Sequence, residues 1–145
     1  MLIFQATVDG NLPRKSNSRI WAGPGKLIKS KKALEFESSA KIILQYYMKI
    51  CKRKYNTLFP IEDDVAVSLL ISYRTKKSDL SGELFFDVLE RGGVLKNDRQ
   101  IKVQYLAGTT SKTPKVECWI TRKHDAHWLS EYYMETVRNT IADIN

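Results

Sequence analysis

Asp79, Glu83, Asp87 and Asp98 fall within twenty residues of one another, in the stretch KKSDLSGELFFDVLERGGVLKNDRQIKV that spans residues 76–103. Carboxylates at such spacings have two uses. Where Asp79, Glu83 and Asp98 converge, with Asp87 a turn further along, they hold a hard divalent cation. Mg2+ takes oxygen ligands, keeps several of its waters and neutralises a phosphate at which hydrolysis occurs, and Mn2+ accepts the same donors. Dispersed, the same residues are structural: Asp79 caps a helix, Glu83 and Asp87 solvate its outer face, and Asp98 serves a turn. Spacing alone leaves both readings open.

Other candidate chemistry is weaker. His124 and His127 in KHDAHW have no further ligand close by, and a loop before a helix explains them. GPGK at 23–26 lacks the spacing of a phosphate-binding GxxxxGK[ST] loop, and serine or cysteine nucleophile motifs are absent. Cys51 and Cys118 lie in unrelated contexts without a CxxC or Cys/His pattern, so reduced, packed thiols are expected. Trp21, Trp119 and Trp128 read as core anchors, although Trp21 sits in a basic segment where it would meet DNA.

Net charge is +8, unevenly placed. Residues 1–54 hold twelve Lys and Arg against three Asp and Glu, whereas residues 55–145 hold twelve against thirteen. A basic portion beside a near-neutral one with clustered acids is the distribution a nuclease needs, since phosphates must be drawn in while a cation pocket stays negative. A solubility surface or an RNA-binding face has the same signature. Candidate phosphate contacts are Lys15, Arg19, Lys29, Lys31 and Lys32, with Lys76, Lys77 and Lys96 beside the acids.

The elements that must position these groups follow from periodicity. A length of 145 residues suits one domain, 1–145. LIFQATV (2–8) reads as a strand ended by Asp9-Gly10, and NLPRKSNSRIWAGPGK as a basic loop. From Ser30, a candidate N-cap, apolar residues at 33, 34, 36, 40, 42, 43, 44, 47 and 50 predict a long amphipathic helix. DDVAVSLLISYR (63–74) predicts a strand. Leu80, Leu84, Val88 and Leu89 predict a helix with Glu83, Asp87, Glu90 and Arg91 on its other side, ended by Gly92-Gly93. Strands at about 100–107 and 115–121 and a C-terminal helix complete the order β, loop, α, β, α, β, β, α. The expected class is α/β (α+β): a single mixed β-sheet with helices packed against it. No apolar run approaches the ~20 residues of a membrane span, and MLIFQATVDG lacks the build of a signal peptide, so a cytoplasmic protein without a membrane segment is expected.

Three pieces of the chain resemble the RusA family of Holliday junction resolvases in order and spacing. Asp79-Leu80-Ser81-Gly82 stands for the family's acidic motif after a strand. Phe86-Asp87-Val88-Leu89 stands for the apolar-Asp-apolar-Leu run at the end of a helix, and Asp98-Arg99-Gln100-Ile101 for the Asp two residues before a Gln that opens a strand. Pro13-Arg14-Lys15-Ser16-Asn17-Ser18-Arg19 looks like the family's N-terminal Pro-x-Ser-Asn element, so the similarity spans roughly residues 2–121. Two departures touch the chemistry. Ser81 stands where well-known members carry a second Asp and Gly82 where they carry Asn, with Glu83 as the candidate replacement ligand. The family's catalytic lysine has no match, leaving Lys76, Lys77 or Lys96.

What the resemblance implies is a RusA-like fold and a homodimer that binds branched DNA. Paired nicks in a four-way junction, during recombination or repair, would depend on Mg2+ held by Asp79, Glu83 and Asp98, with Asp87 as an outer ligand or a solvated acid. The alternatives are a DNA- or RNA-binding protein of the same fold without catalysis, and an endonuclease for flaps or forks.

Overall fold

A computed structural model of the chain describes residues 1–14, 19–76 and 80–144. Its centre is the most apolar strand of the sequence, β4 (Val65–Tyr73), in which all nine residues are buried. Val65, Val67, Leu69, Ile71 and Tyr73 face one core, and Ala66 and Leu70 face the other. Such two-sided burial is what an aliphatic run without polar alternation requires.

Around β4 the sheet runs in the order β1, β6, β4, β5, where β1 is Leu2–Asp9, β5 is Ile101–Thr110 and β6 is Lys115–Arg122. β1 pairs with β6 antiparallel, Ala6 opposite Cys118, and β6 with β4 antiparallel, Leu69 opposite Cys118. β4 and β5 are parallel, Val65 opposite Ile101 and Leu69 opposite Leu106. A parallel pair needs a crossover, and α2 (Glu83–Arg91) supplies it. α1 (Lys31–Tyr55) and α2 cover one face of the sheet, and α3 (Ala126–Ile144) covers the other through Leu129. This is the expected single mixed sheet with helices packed against it.

Three elements differ in detail from expectation. The predicted basic loop contains a small two-stranded sheet, β2 (Arg19–Trp21) and β3 (Leu27–Lys29), antiparallel with Ile20 opposite Ile28. Its turn uses Gly23 and Gly25 at φ of 141° and 69°, where a side chain would be strained. α2 begins at Glu83, leaving Leu80 outside the helix and exposed. Gly82 is the N-cap, and a Cβ there would lie 2.8 Å from the Phe86 ring, so the glycine lets Phe86 fold back over the helix start. In α1, Ser30 is the N-cap as predicted, its Oγ accepting from the Ala33 N–H at 3.1 Å. Ala33, Phe36, Ala40 and Leu44 are buried, yet Leu34, Ile42 and Ile50, counted in the same periodicity, are exposed. The apolar face of α1 is wider than one core uses.

Cys51 and Cys118 are buried free thiols. Among the described residues no helix is long and apolar enough to cross a membrane.

Candidate carboxylate cluster and nucleic-acid interface

β3 leads straight into the α1 N-cap, so the last residue of the hairpin is fixed between two helices. That residue is Lys29. Its Nζ donates to Glu37 Oε2 on α1 at 2.9 Å and to Asp87 Oδ2 on α2. Arg91 Nε lies 3.3 Å from Asp87 Oδ2 and 3.6 Å from Glu37 Oε1, and Lys41 Nζ lies 3.4 Å from Glu37 Oε1. Two carboxylates and three cations thus join hairpin, α1 and α2. Contacts also fix direction: Glu37 meets Asp87 through Lys29, while a Cβ on Gly92 would meet Lys41 and Leu44. α1 and α2 therefore run side by side in the same sense.

The Glu37 side chain is only 6% exposed. Burial by itself pushes its carboxyl up, but hydrogen bonding and charge from Lys29, then Lys41 and Arg91, outweigh that and hold it below the usual carboxylate range. Asp87 behaves alike: burial raises it, Lys29 and Arg91 lower it further, and the balance is downward. Both acids are paired with cations, so Asp87 is a half-buried partner of Lys29 and Arg91, not a freely solvated helix acid. Lys29, expected to hold phosphate, is the half-buried clamp of this cluster.

Glu83 opens α2 one turn before Asp87 and lines a small recess with Arg19, Lys29, Leu84 and Asp87. Its N–H donates to Ser81 Oγ at 3.3 Å. Asp79, four residues earlier, lies outside the described residues, as do Lys15 and Lys77. Exposed Lys31 and Lys32 stand at the start of α1, with Lys31 Nζ 3.9 Å from Glu35 Oε1. Lys76 is also exposed, just past the end of β4.

Asp98 is elsewhere. Because β4 and β5 are parallel, the start of β5 lies by the start of β4, whereas α2 begins beyond the end of β4. Asp98 opens a single 3-10 turn, Asp98–Gln100, and its N–H donates to Glu90 Oε1 at 3.2 Å. Seven residues separate Glu83 from Glu90, about 10 Å of helix axis. Within one chain Asp98 and Glu83 thus stand at opposite ends of α2, and Asp79, the third acid of the expected convergence, lies outside the described residues. Around Asp98 the turn is capped reciprocally: Asn97 Oδ1 accepts from the Arg99 N–H at 2.8 Å, and the Asn97 N–H donates to Gln100 Oε1 at 2.7 Å. Gln100 Nε2 donates to the carbonyls of Ile61 and Asp63, both at 2.8 Å, tying the start of β5 to the start of β4. Lys96 sits at this end too, 3.2 Å from Glu62 Oε1. Among the described residues no group of three or more His, Cys, Asp or Glu could hold a metal ion.

Two participants escaped sequence reasoning. Glu37 is a charged residue on the apolar side of an amphipathic helix, a position that itself signals a buried partner. Arg14 is buried, donates to the Thr75 carbonyl and places its guanidinium 4.3 Å from the Tyr73 ring centroid. With Asn11 Oδ1 accepting from the Arg74 N–H at 3.0 Å, it straps the segment after β1 to the chain that leads towards Asp79. Lys32, Arg14 and Arg74 line the open cleft between them.

No family model matches the chain, and no curated protein does.

Proposed function

We propose that the protein is a Mg2+-dependent endodeoxyribonuclease that binds branched DNA as a homodimer and resolves four-way junctions by paired nicks. The observation that carries this is one of placement. The basic hairpin is clamped onto the α2 end that follows Asp79, so Arg19 and Glu83 share a recess there. Polyanion attraction and carboxylate oxygens meet at one place, as phosphodiester cleavage requires. The order of the Asp79, Asp87 and Asp98 motifs, which resembles RusA, supports the same reading.

In this proposal Asp79 and Glu83 hold the cation and Arg19, Lys31, Lys32 and Lys76 hold phosphates, setting affinity and orientation rather than sequence choice. The bound ion would supply charge neutralisation at the scissile phosphate and a more acidic water. Asp87 and Lys29 serve the site indirectly, by fixing the hairpin and α2. Asp98 stands at the wrong end of its own α2, so its share in the site is assigned to the second copy of the dimer.

A second reading, a DNA- or RNA-binding protein without catalysis, is favoured by the commitment of Asp87 to Lys29 and Arg91 and by the capping turn at Asp98. A nicking assay on a synthetic four-way junction, with flap, fork and linear duplex in parallel and with Mg2+ present or withheld, decides between them. Metal-dependent nicks in the junction that vanish in Asp79→Asn and Glu83→Gln, with binding kept, support the nuclease. Binding without cleavage in any metal supports the second reading, and preferential cutting of flaps or forks changes the substrate.

A further inference from the structure

The second half of α1 turns bulky apolar side chains and unmatched cations to the same side. Ile42, Tyr46 and Ile50 are 72%, 63% and 37% exposed. Lys49, Arg53 and Lys54 are exposed beside them, and with Tyr46 and Ile50 they line an open surface recess of about 570 Å³. With 3.6 residues per turn, positions 42, 46, 49, 50 and 53 fall within an arc of about 100°, the width of one helix face. Single exposed apolar residues need no explanation, but three on one face with cations among them do.

The helix dipole accounts for part of this. Cations in the last turn, Lys52, Arg53 and Lys54, complement the partial negative charge of the C-terminus. That effect fades within a turn, and it asks for neither Lys49 nor the apolar side chains beside it. Towards the start of α1 the cations are matched, Lys29 and Lys41 by Glu37 and Lys31 by Glu35. From Ser38 to Tyr55 the helix has no acid, and among the described residues Lys49, Arg53 and Lys54 have no carboxylate within ion-pair distance. A partner complementary to this face brings apolar surface and negative charge together.

We propose that this face docks an acidic amphipathic segment of another protein, its apolar side chains seated along Ile42, Tyr46 and Ile50 and its carboxylates set against Lys49, Arg53 and Lys54. A peptide suits the face better than nucleic acid. Ile42 and Ile50 are aliphatic, so they offer no ring for a base to stack on, whereas they pack well against Leu or Phe. Tyr46 stands between them with its ring held edge to face by Tyr47, centroids 5.5 Å apart at 78°. The three are spaced one turn apart, about 6 Å, which is the spacing at which an amphipathic helix presents its own anchors. Ile50 lies thirteen residues beyond Glu37, about 20 Å along α1 from the Lys29 clamp. The recess of Arg19 and Glu83 is at the clamp itself, so a docked segment leaves that recess, Lys31 and Lys32 open. This is a recruitment surface, and it does not rest on the nuclease reading.

Fluorescence anisotropy with the full-length chain tests it. The probe is a labelled synthetic peptide of about 15 residues, with Leu or Phe at every third or fourth position and Asp or Glu between, long enough to span the ~12 Å from Ile42 to Ile50. It should bind about tenfold more tightly than a peptide of the same composition whose apolar residues are scattered round the helix, and than one whose acids are changed to Asn and Gln. Lys49→Gln with Arg53→Gln, and separately Ile42→Ser with Ile50→Ser, should each weaken binding by about tenfold while circular dichroism stays that of the wild type. All these positions are exposed, so the fold survives the changes. Equal binding of the scattered peptide would reduce the face to unspecific charge and overturn the proposal. So would binding that neither double variant alters, or none at millimolar peptide. A labelled single-stranded oligonucleotide is titrated in parallel. If it binds through these residues and the peptide does not, the face belongs to nucleic acid and the proposal fails.

Discussion

The two ends of α2 carry similar residues and do different things. Along the α1-facing side of α2, Asp87 in the middle of the helix and the buried Glu37 are gathered around Lys29, with Arg91 and Lys41 behind, and the hairpin bearing Arg19 is held against the Glu83 half. At the other end, Glu90 and Asp98 belong to a capped turn whose hydrogen bonds stay local or reach only the start of β4. A carboxylate's role is set by what the tertiary fold brings to it. The parallel pairing of β4 with β5 decides this, because a parallel crossover puts the loop after one strand and the loop before the next at opposite ends of the sheet.

The contrast breaks most severely at Lys29. Lys29→Ala removes the one group that both carboxylates share and leaves Glu37 buried with only the longer contacts to Lys41 and Arg91. A fully buried pair broken this way costs ~3–5 kcal/mol. Asp87 is 26% exposed and Arg91 remains beside it, so about 2–3 kcal/mol is expected here, measured by urea unfolding. Replacing the whole set by Lys29→Met with Glu37→Leu and Asp87→Asn should recover much of that loss. If Lys29→Ala is neutral, the cluster is only a surface network.

Acid separates the two ends as well. Glu37 and Asp87 are held below the usual carboxylate range in the folded chain. Near pH 4 the unfolded chain therefore binds more protons, and stability from these groups, complete above the ordinary carboxylate pKa of about 4, is lost as pH falls through their lower folded values. Unfolding free energy followed from pH 7 to pH 2 should fall across that window in the wild type and fall less steeply in Lys29→Ala. Equal slopes would mean that other groups carry the acid sensitivity.

Gly82→Ala is expected to have the next effect, about 1–2 kcal/mol, since a methyl group 2.8 Å from the Phe86 ring must displace it or the helix start. Differential unfolding of this variant beside Phe86→Leu with Gly82→Ala tests the cause: the smaller side chain should relieve the strain.

Much of this organisation is legible in the sequence, and what is not has a common reason. The aliphatic run at 65–73 and the Ser30 cap specify their elements locally, as do the glycines after α2, and these stand where expected. The pairing of Glu37 with Lys29 and Asp87 joins residues up to 58 apart, so no local pattern announces it. The exposed row on α1 has the spacing of a core face, and periodicity cannot say which molecule a face meets. Leu80 fits the α2 period by number alone, and Gly82, a poor helix former, stands between it and the first helical residue as N-cap.

The smallest effect on stability is expected at Asp98. Asp98→Asn keeps the side-chain size and the backbone bond to Glu90, and it removes one negative charge from the first turn of a three-residue helix, worth about 0.5 kcal/mol or less. Its effect on junction cleavage is expected to be large all the same, because the proposed site takes Asp98 from the second copy. Mixing distinguishes that from a site within one chain. A mixed dimer of Asp98→Asn with Glu83→Gln has one site in which both acids are intact and one in which both are lost. Two inactive variants, allowed to exchange subunits, should therefore regain roughly a quarter of wild-type nicking, half the dimers being mixed and half their sites intact. No recovery, with mixed dimers confirmed by tagged pull-down, would return Asp98 to its own chain. Normal cleavage by Asp98→Asn alone would leave it the capping role that its turn already describes.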